Sequence, residues 1–444
     1  MKKNHSSKGP RVLMVGYNGA NNTGAEALLQ ADIEDVRAVL GPDSHITVPT
    51  LNEANLRRYL REGPGLKISP MPALFFGAIR RLVKQCDLVV LAEGSTYMDT
   101  WGSPLLWLFL WATACAADMG KPTLAYAVDA GTLSSANRRR VRSIASRTNL
   151  IVTRNQAAAD RLRDIGVTAP MESTADNAFV FQTRPADCGW PVLEWPKARA
   201  GIVGFALVDF SLFPAVMRLW GRRERCYRWP YYFSSSPERR QFNEKMVRGY
   251  ASLADHIAES TGKALALICM EQLDETLAEQ VRCHMKNGGN ARIFSARQYD
   301  ASQMTSLLRS LDLLVTSRFH ATVLSLAAGI PQIAVGHDTR LATIYNDIGL
   351  YNDWFINPFA ADGSAWAINE VRLFSALKER IDRLLANPYL QKQLLYKGYD
   401  DHLNRARRNR RLLADFAFRY LGTAGACSPA PALPNLVKGG MAWA

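Results

Sequence analysis

The sequence lacks most of the features that would place it at once. Its seven cysteines (Cys86, Cys115, Cys188, Cys226, Cys269, Cys283 and Cys427) are scattered and odd in number, with no Cys-x-x-Cys pair. That excludes a zinc ribbon and a thiol redox motif, and reads as a reduced, intracellular protein. The most apolar window, LLWLFLWATACAA over 105–117, is shorter than the roughly 18 residues needed to span a bilayer. A buried helix is expected there. The opening MKKNHSSKGPR is basic without the apolar stretch of a secretory signal, so a cytoplasmic location is expected. No solenoid repeat is present. With 48% hydrophobic and 21% charged residues, the composition also excludes a disordered, collagen-like or disulfide-stapled chain.

Acidic residues are the scarcer charge. Forty Asp and Glu stand against 54 Lys and Arg, a balance of +14 over 444 residues. Such a field suits an anionic partner: nucleic acid, an anionic lipid surface, or a phosphorylated or acidic substrate. No nucleic-acid motif accompanies it, and no nucleic-acid partner is expected.

What is present is alternation. RVLMVG (11–16), HITVPT (45–50), CDLVVLAEG (86–94), PTLAYAVDAG (122–131) and NLIVTRN (149–155) are short apolar strands separated by helical patterns. Prolines and glycines interrupt the pattern around 182–200. It then resumes with GIVGFALVDF (201–210), KALALICME (263–271) and LDLLVTS (311–317). Two doubly wound α/β domains follow, over 10–184 and 198–350. A helical, basic segment is expected over 351–421 and a disordered tail over 422–444. Ligands of such folds bind beyond the carboxyl ends of the strands, so functional residues are sought there.

The loop after the first strand, Gly16-YNGANNTGAE, lets the backbone turn tightly at Gly19 and Gly24 and offers a helix N-terminus to an anion. Its spacing is not G-x-G-x-x-G, and Ala25-Glu26 replaces the Lys-Ser/Thr of a P-loop, which argues against dinucleotide and triphosphate binding. Glu93, Asp129 and Asp176 end further strands, where carboxylates serve as bases toward hydroxyls or simply cap loops. Thr316-Ser317-Arg318-Phe319-His320 carries the strongest local signal. Ser317 reads as a helix N-cap, which puts Arg318 and His320 in a first turn where positive charge is disfavoured. An anionic ligand would resolve that conflict, with the guanidinium as its fork and His320 as the proton-exchanging group. Arg154 repeats the picture more faintly, and His337-Asp338-Thr339-Arg340 adds polar groups at the same edge. His320 and His337 have no third ligand at sensible spacing, so no metal is expected. Between 209 and 233, arginines alternate with aromatics (Arg218, Trp220, Arg222, Arg223, Arg225, Tyr227, Arg228, Trp229). That composition fits a lid on the acceptor side or near an anionic membrane.

SRFHATVLSLAAGIPQIAVGHDTRL (317–341) is similar to the Ser-Arg-aliphatic-His, Gly-aliphatic-Pro and Asp-basic pattern of the polysaccharide pyruvyl transferase family. GYNGANNTGAEALL, VTRNQAAADRLRDIGV and TADNAF resemble the family's glycine loop, its Arg-Asp segment and its Asp-Pro segment. The resemblance covers about residues 11–350, apart from 182–245. Departures concentrate in the first half: Ala25 for Asp in the glycine loop, Ala92-Glu93-Gly94 for a triple glycine, Val128 to Leu133 for Gly-x-Gly-x-Gly-Pro, and Asn155 and Asn177 for Asp and Pro.

The resemblance implies a GT-B-like fold, with 10–184 as the acceptor side and 198–350 as the donor side, phosphoenolpyruvate as co-substrate and no resident cofactor. It also implies a pyruvate ketal built on a sugar of an envelope polysaccharide or its precursor, an acceptor that a lipid could carry. It implies His320 as general acid, with Arg318 and Arg154 holding the donor's carboxylate and phosphate beside Ser317 and His337. Glu26, Glu93 or Asp129 would orient or deprotonate acceptor hydroxyls, among Gly19, Asn22, Gly24 and Asp176. Two rivals stand beside it: a GT-B glycosyltransferase using a nucleotide sugar, and a non-catalytic relative that binds a glycan or a membrane surface.

Overall fold

A computed structural model describes residues 9–422 apart from 211, 213, 214, 224, 225, 235, 337 and 359–369. The first domain is a seven-stranded parallel sheet. Its strands are β1 (Arg11–Val15), β2 (His45–Thr50), β3 (Leu66–Pro70), β4 (Leu88–Leu91), β5 (Thr123–Val128), β6 (Leu150–Thr153) and β7 (Met171–Ser173). They lie in the order β3-β2-β1-β4-β5-β6-β7. The inner strands are continuous runs of Val, Leu, Met and Ala because helices cover both faces, as parallel sheets require. One of those helices is Ser103–Asp118, whose Leu106, Phe109, Leu110 and Ala112 are buried in the core, as the 105–117 run leads one to expect. No described helix is long and apolar enough to cross a membrane.

The second domain is a parallel sheet around β8 (Ile202–Ala206). A small antiparallel sheet interrupts it: β9 (Ala215–Met217), β10 (Cys226–Arg228) and β11 (Tyr231–Phe233). The main sheet then adds β12 (Ala264–Cys269), β13 (Ala291–Ser295), β14 (Leu313–Thr316), β15 (Gln332–Val335) and β16 (Phe355–Ile356). Its order is β13-β12-β8-β14-β15-β16, so the sheet takes in residues beyond 350. The strand order reverses at β1/β4 in one sheet and at β8/β14 in the other, the switch points where α/β folds bind ligands.

After helix Glu370–Ala386, the long helix Lys392–Leu421 ties the domains together. Leu395, Leu403 and Ala406 pack into the second domain's core, and Leu413, Phe416 and Ala417 into the first domain's. Between them, Asn409 donates to Ala175 O at 3.0 Å and Arg410 to Asp35 at 2.6 Å. Beyond Gly422 the expected tail lies outside the described residues.

Candidate active site

The loops after β1, β4, β8, β12, β14 and β15 converge on one cavity between the two domains. The first domain contributes Gly16, Tyr17, Asn18, Asn22, Gly24, Glu93 and Ser95; the second contributes Glu271, Ser317, Arg318, His320, Asp338 and Arg340. The small sheet closes one side with Tyr227, Tyr231 and Phe233. It docks on the first domain, Arg228 donating to Leu51 O at 2.5 Å and Tyr231 OH to Ala73 O at 2.8 Å. The end of the Arg/aromatic stretch, 227–233, therefore forms a wall of the cavity.

Arg318 lies at the cavity wall, partly exposed. Helix Phe319–Leu326 starts one residue later than expected, with Arg318 rather than Ser317 at the N-cap and no side-chain cap. The charge conflict expected in that first turn is met by the chain's own carboxylates. Arg318 Nε donates to Asp274 at 3.0 Å, Nη1 to Glu271 at 3.1 Å, and Nη2 also bonds Asp274. Burial pushes the Asp274 carboxyl up to about 7 against the pull of Arg318. Glu271 is fixed in turn by Tyr17 OH at 2.9 Å, and Tyr17 meets Tyr227 of the small sheet at 2.9 Å. Both acids follow β12. Searching that strand end as Glu93, Asp129 and Asp176 were found would have revealed them.

Behind the cavity lies a buried row of charge. Arg154 donates from Nε to Asp129 at 2.8 Å and from Nη1 to Asp176 at 2.7 Å, with its side chain only 1% exposed. Its guanidinium also lies 4.0 Å from the centre of the Phe319 ring, and Nη2 has no hydrogen bond among the described residues. Asn155 adds a bond to Asp129 at 3.2 Å. His320 Nε2 sits 3.6 Å from Asp176 Oδ2, just beyond hydrogen-bond distance. Burial raises the Asp176 carboxyl, but His320 and Arg154 outweigh it and hold the group well below the usual range.

Two glycines make these placements possible. A Cβ on Gly24 would lie 2.1 Å from His320 Nδ1, and one on Gly94 2.3 Å from Arg154 Nη1. The approach expected of a ligand at Gly24 is made by the His320 ring itself.

Arg340, following β15, is the cavity's second arginine. It donates to Asp338 at 2.8 Å and to Ser95 Oγ of the other domain at 2.9 Å, and lies 5.2 Å from the Trp101 ring centre.

The remaining expected residues divide. Asn22 caps helix Thr23–Leu40 through Ala25 N and faces the cavity, as does Glu93, which accepts from Ser95 N at 3.1 Å. Asp129 and Asp176 are sealed behind the cavity. Gly19, at φ +80°, turns the chain against Thr50 and Asn52, outside it. Glu26 also points elsewhere, accepting from Arg58 at 3.2 Å, Asn55 at 3.3 Å and Ala301 N of the other domain at 3.2 Å. Burial pushes its carboxyl up to about 8. It is a buried bond between domains, so the acceptor role expected of it does not fit this placement. His337 lies outside the described residues. Among the described residues, no cluster of three or more His, Cys, Asp or Glu is arranged to hold a metal.

Two parallel-sheet domains facing across a cleft, tied by a returning C-terminal helix, define the GT-B class. Among solved structures, a putative UDP-N-acetylglucosamine 2-epimerase from Listeria monocytogenes aligns with a TM-score of 0.59 at 13% identity, covering 94% of this chain and 98% of its own. HepE of Anabaena, in complex with UDP-glucose, aligns with a TM-score of 0.56 at 12% identity over 91% and 98% of the two chains. These likenesses establish the fold. Within that class the chain belongs to the polysaccharide pyruvyl transferase family, whose sequence model matches residues 22–339. The amylovoran biosynthesis protein AmsJ of Erwinia amylovora is 22% identical over 271 residues, 60% of this chain and 61% of that relative. The chain thus spans about three-fifths of the length of the curated relative it matches.

Proposed function

We propose that the protein transfers a pyruvyl group from phosphoenolpyruvate to two hydroxyls of one sugar in an envelope polysaccharide or its precursor. The observation that carries this reading is the convergence of Arg318, Arg340 and His320 on a cavity joining both switch points. Two guanidiniums suit the carboxylate and phosphate of the donor. His320, backed by the carboxylate of Asp176, is positioned to give a proton to the donor's vinyl carbon. One sugar hydroxyl then bonds to the adjacent carbon and releases its proton. Phosphate departs with the C–O bond electrons, its charge held by the arginines. The second hydroxyl attacks the same carbon, loses its proton and closes the ketal.

The acceptor faces the first domain's side of the cavity, where Asn22, Glu93 and Ser95 offer hydrogen-bonding groups. In this reading Glu93 takes a hydroxyl proton. Arg154 acts from behind: it fixes Asp176, which in turn orients His320. Asp274 and Glu271 hold Arg318 in place until the donor's oxygens replace part of their bonds.

The test is an incubation with phosphoenolpyruvate and a panel of envelope-type oligosaccharides, free and lipid-linked. Inorganic phosphate should appear together with acceptor that has gained a ketal-linked pyruvyl group, and both should fall by about a hundredfold or more in His320→Asn. Phosphate release at a near-normal rate in His320→Asn would overturn the assignment.

A further inference from the structure

The cavity's outer wall continues into an exposed apolar face. Ala73 and Phe75 line the cavity, while Leu74 and Phe76 between and after them point outward, 52% and 40% exposed. Tyr231 OH binds Ala73 O at 2.8 Å, and Tyr231 is paired across the small sheet with Met217. Met217, Leu219, Trp220 and Trp229 carry the exposed face onward, with Trp229 Nε1 donating to Leu219 O at 3.2 Å. Trp220 is 79% exposed. A soluble protein does not ordinarily leave two tryptophans and several aliphatics together in water.

Exposed basic side chains predominate around this face among the described residues. Residues 210–233 hold five arginines and one carboxylate, and Arg218, Arg222 and Arg223 are exposed. Helix Phe76–Gln85, which starts at the patch, adds exposed Arg80, Arg81 and Lys84. Tryptophan with arginine is the composition of surfaces seated at the headgroup level of a bilayer. The cavity wall just inside is also apolar, built by Leu51, Met71, Phe75, Trp101, Leu105 and Leu108.

We propose that this face docks peripherally on an anionic bilayer. This contact does not rest on the function proposed above.

The test is sedimentation of the full chain with vesicles of phosphatidylcholine alone and with added phosphatidylglycerol, at low and physiological salt. Donor binding is measured separately by calorimetry. The full chain should bind the anionic vesicles, more weakly as salt rises, and hardly bind the neutral ones. The double variant Arg222→Ala/Arg223→Ala should weaken that binding by about tenfold or more. Leu219→Ser/Trp220→Ser should weaken it comparably, with phosphoenolpyruvate affinity unchanged in both. Absent vesicle binding by the unaltered chain, or equal binding by both variants, would overturn the proposal. Loss of phosphoenolpyruvate binding alone would strike the proposed function and leave the bilayer contact standing.

Discussion

Arg154 and Arg318 begin alike and end in different trades. Each follows a parallel strand whose last residue is threonine, and each threonine hydroxyl bonds a carbonyl of the turn: Thr153 to Asn155 O at 2.9 Å, Thr316 to Arg318 O at 3.1 Å. Each guanidinium is held by two carboxylates. Yet the Arg154 side chain is 1% exposed and that of Arg318 14%, and only Arg318 lines the cavity. Local sequence sets the turn, and what packs over it decides whether the charge meets a ligand or a neighbour. Phe319 makes the difference by covering Arg154 from the opposite domain. One arginine supports the site, and the other faces what enters it.

The sharpest way to break this contrast is through stability. Arg154→Met leaves Asp129 and Asp176 buried without their cation, and should cost about 3–5 kcal/mol in urea unfolding. Arg318→Met should cost clearly less, because Arg318 is itself partly exposed at the cavity, where water can reach the carboxylates it leaves. Equal losses would erase the distinction.

His320→Asn should lower turnover by about 10²- to 10⁴-fold while the fold and donor affinity persist. Near-normal turnover would remove His320 from proton transfer. Gly24→Ala would push a methyl into the His320 ring, at an overpacking cost of about 1–3 kcal/mol, and should depress turnover more than donor affinity. An unaltered rate would mean that the ring's seat on Gly24 is immaterial.

The smallest effect concerns pH. Glu26 is raised from 4.5 to about 8 in the fold, so the folded state holds a proton that the unfolded state has lost between those values. Stability should therefore fall as pH rises through that window. Glu26→Gln should flatten the decline in unfolding free energy between pH 5 and 8, and an unchanged slope would contradict the buried, proton-holding placement.

The alternation of strands and helices was legible because inner parallel strands are uninterrupted apolar runs. β3, β7 and β13 escaped notice for a physical reason: LKISP, MES and ARIFS lie at or next to sheet edges, where one face or one side meets water and the apolar signal thins. Arg318 and His320 were legible as a charge conflict at a helix start. Its resolution was not, because Asp274, Glu271 and Asp176 arrive from strands far away in sequence. Glu26 illustrates the converse. It opens a helix beside the cavity, but helical rotation turns it toward Arg58 and Ala301, which no local pattern reports. Gly24 and Gly94 were legible as glycines at strand ends, while the ring and the guanidinium they make room for were not.

The central claim, that Arg318 faces a phosphoenolpyruvate site and Arg154 stands behind it, is tested most directly by calorimetric titration of the full chain with phosphoenolpyruvate. UDP and pyruvate serve as controls, and Arg318→Ala is run beside the unaltered protein. The account predicts binding of phosphoenolpyruvate and not UDP, weakened by about 1.5–3 kcal/mol in Arg318→Ala. Binding of UDP alone, or phosphoenolpyruvate affinity unchanged by Arg318→Ala, would contradict it.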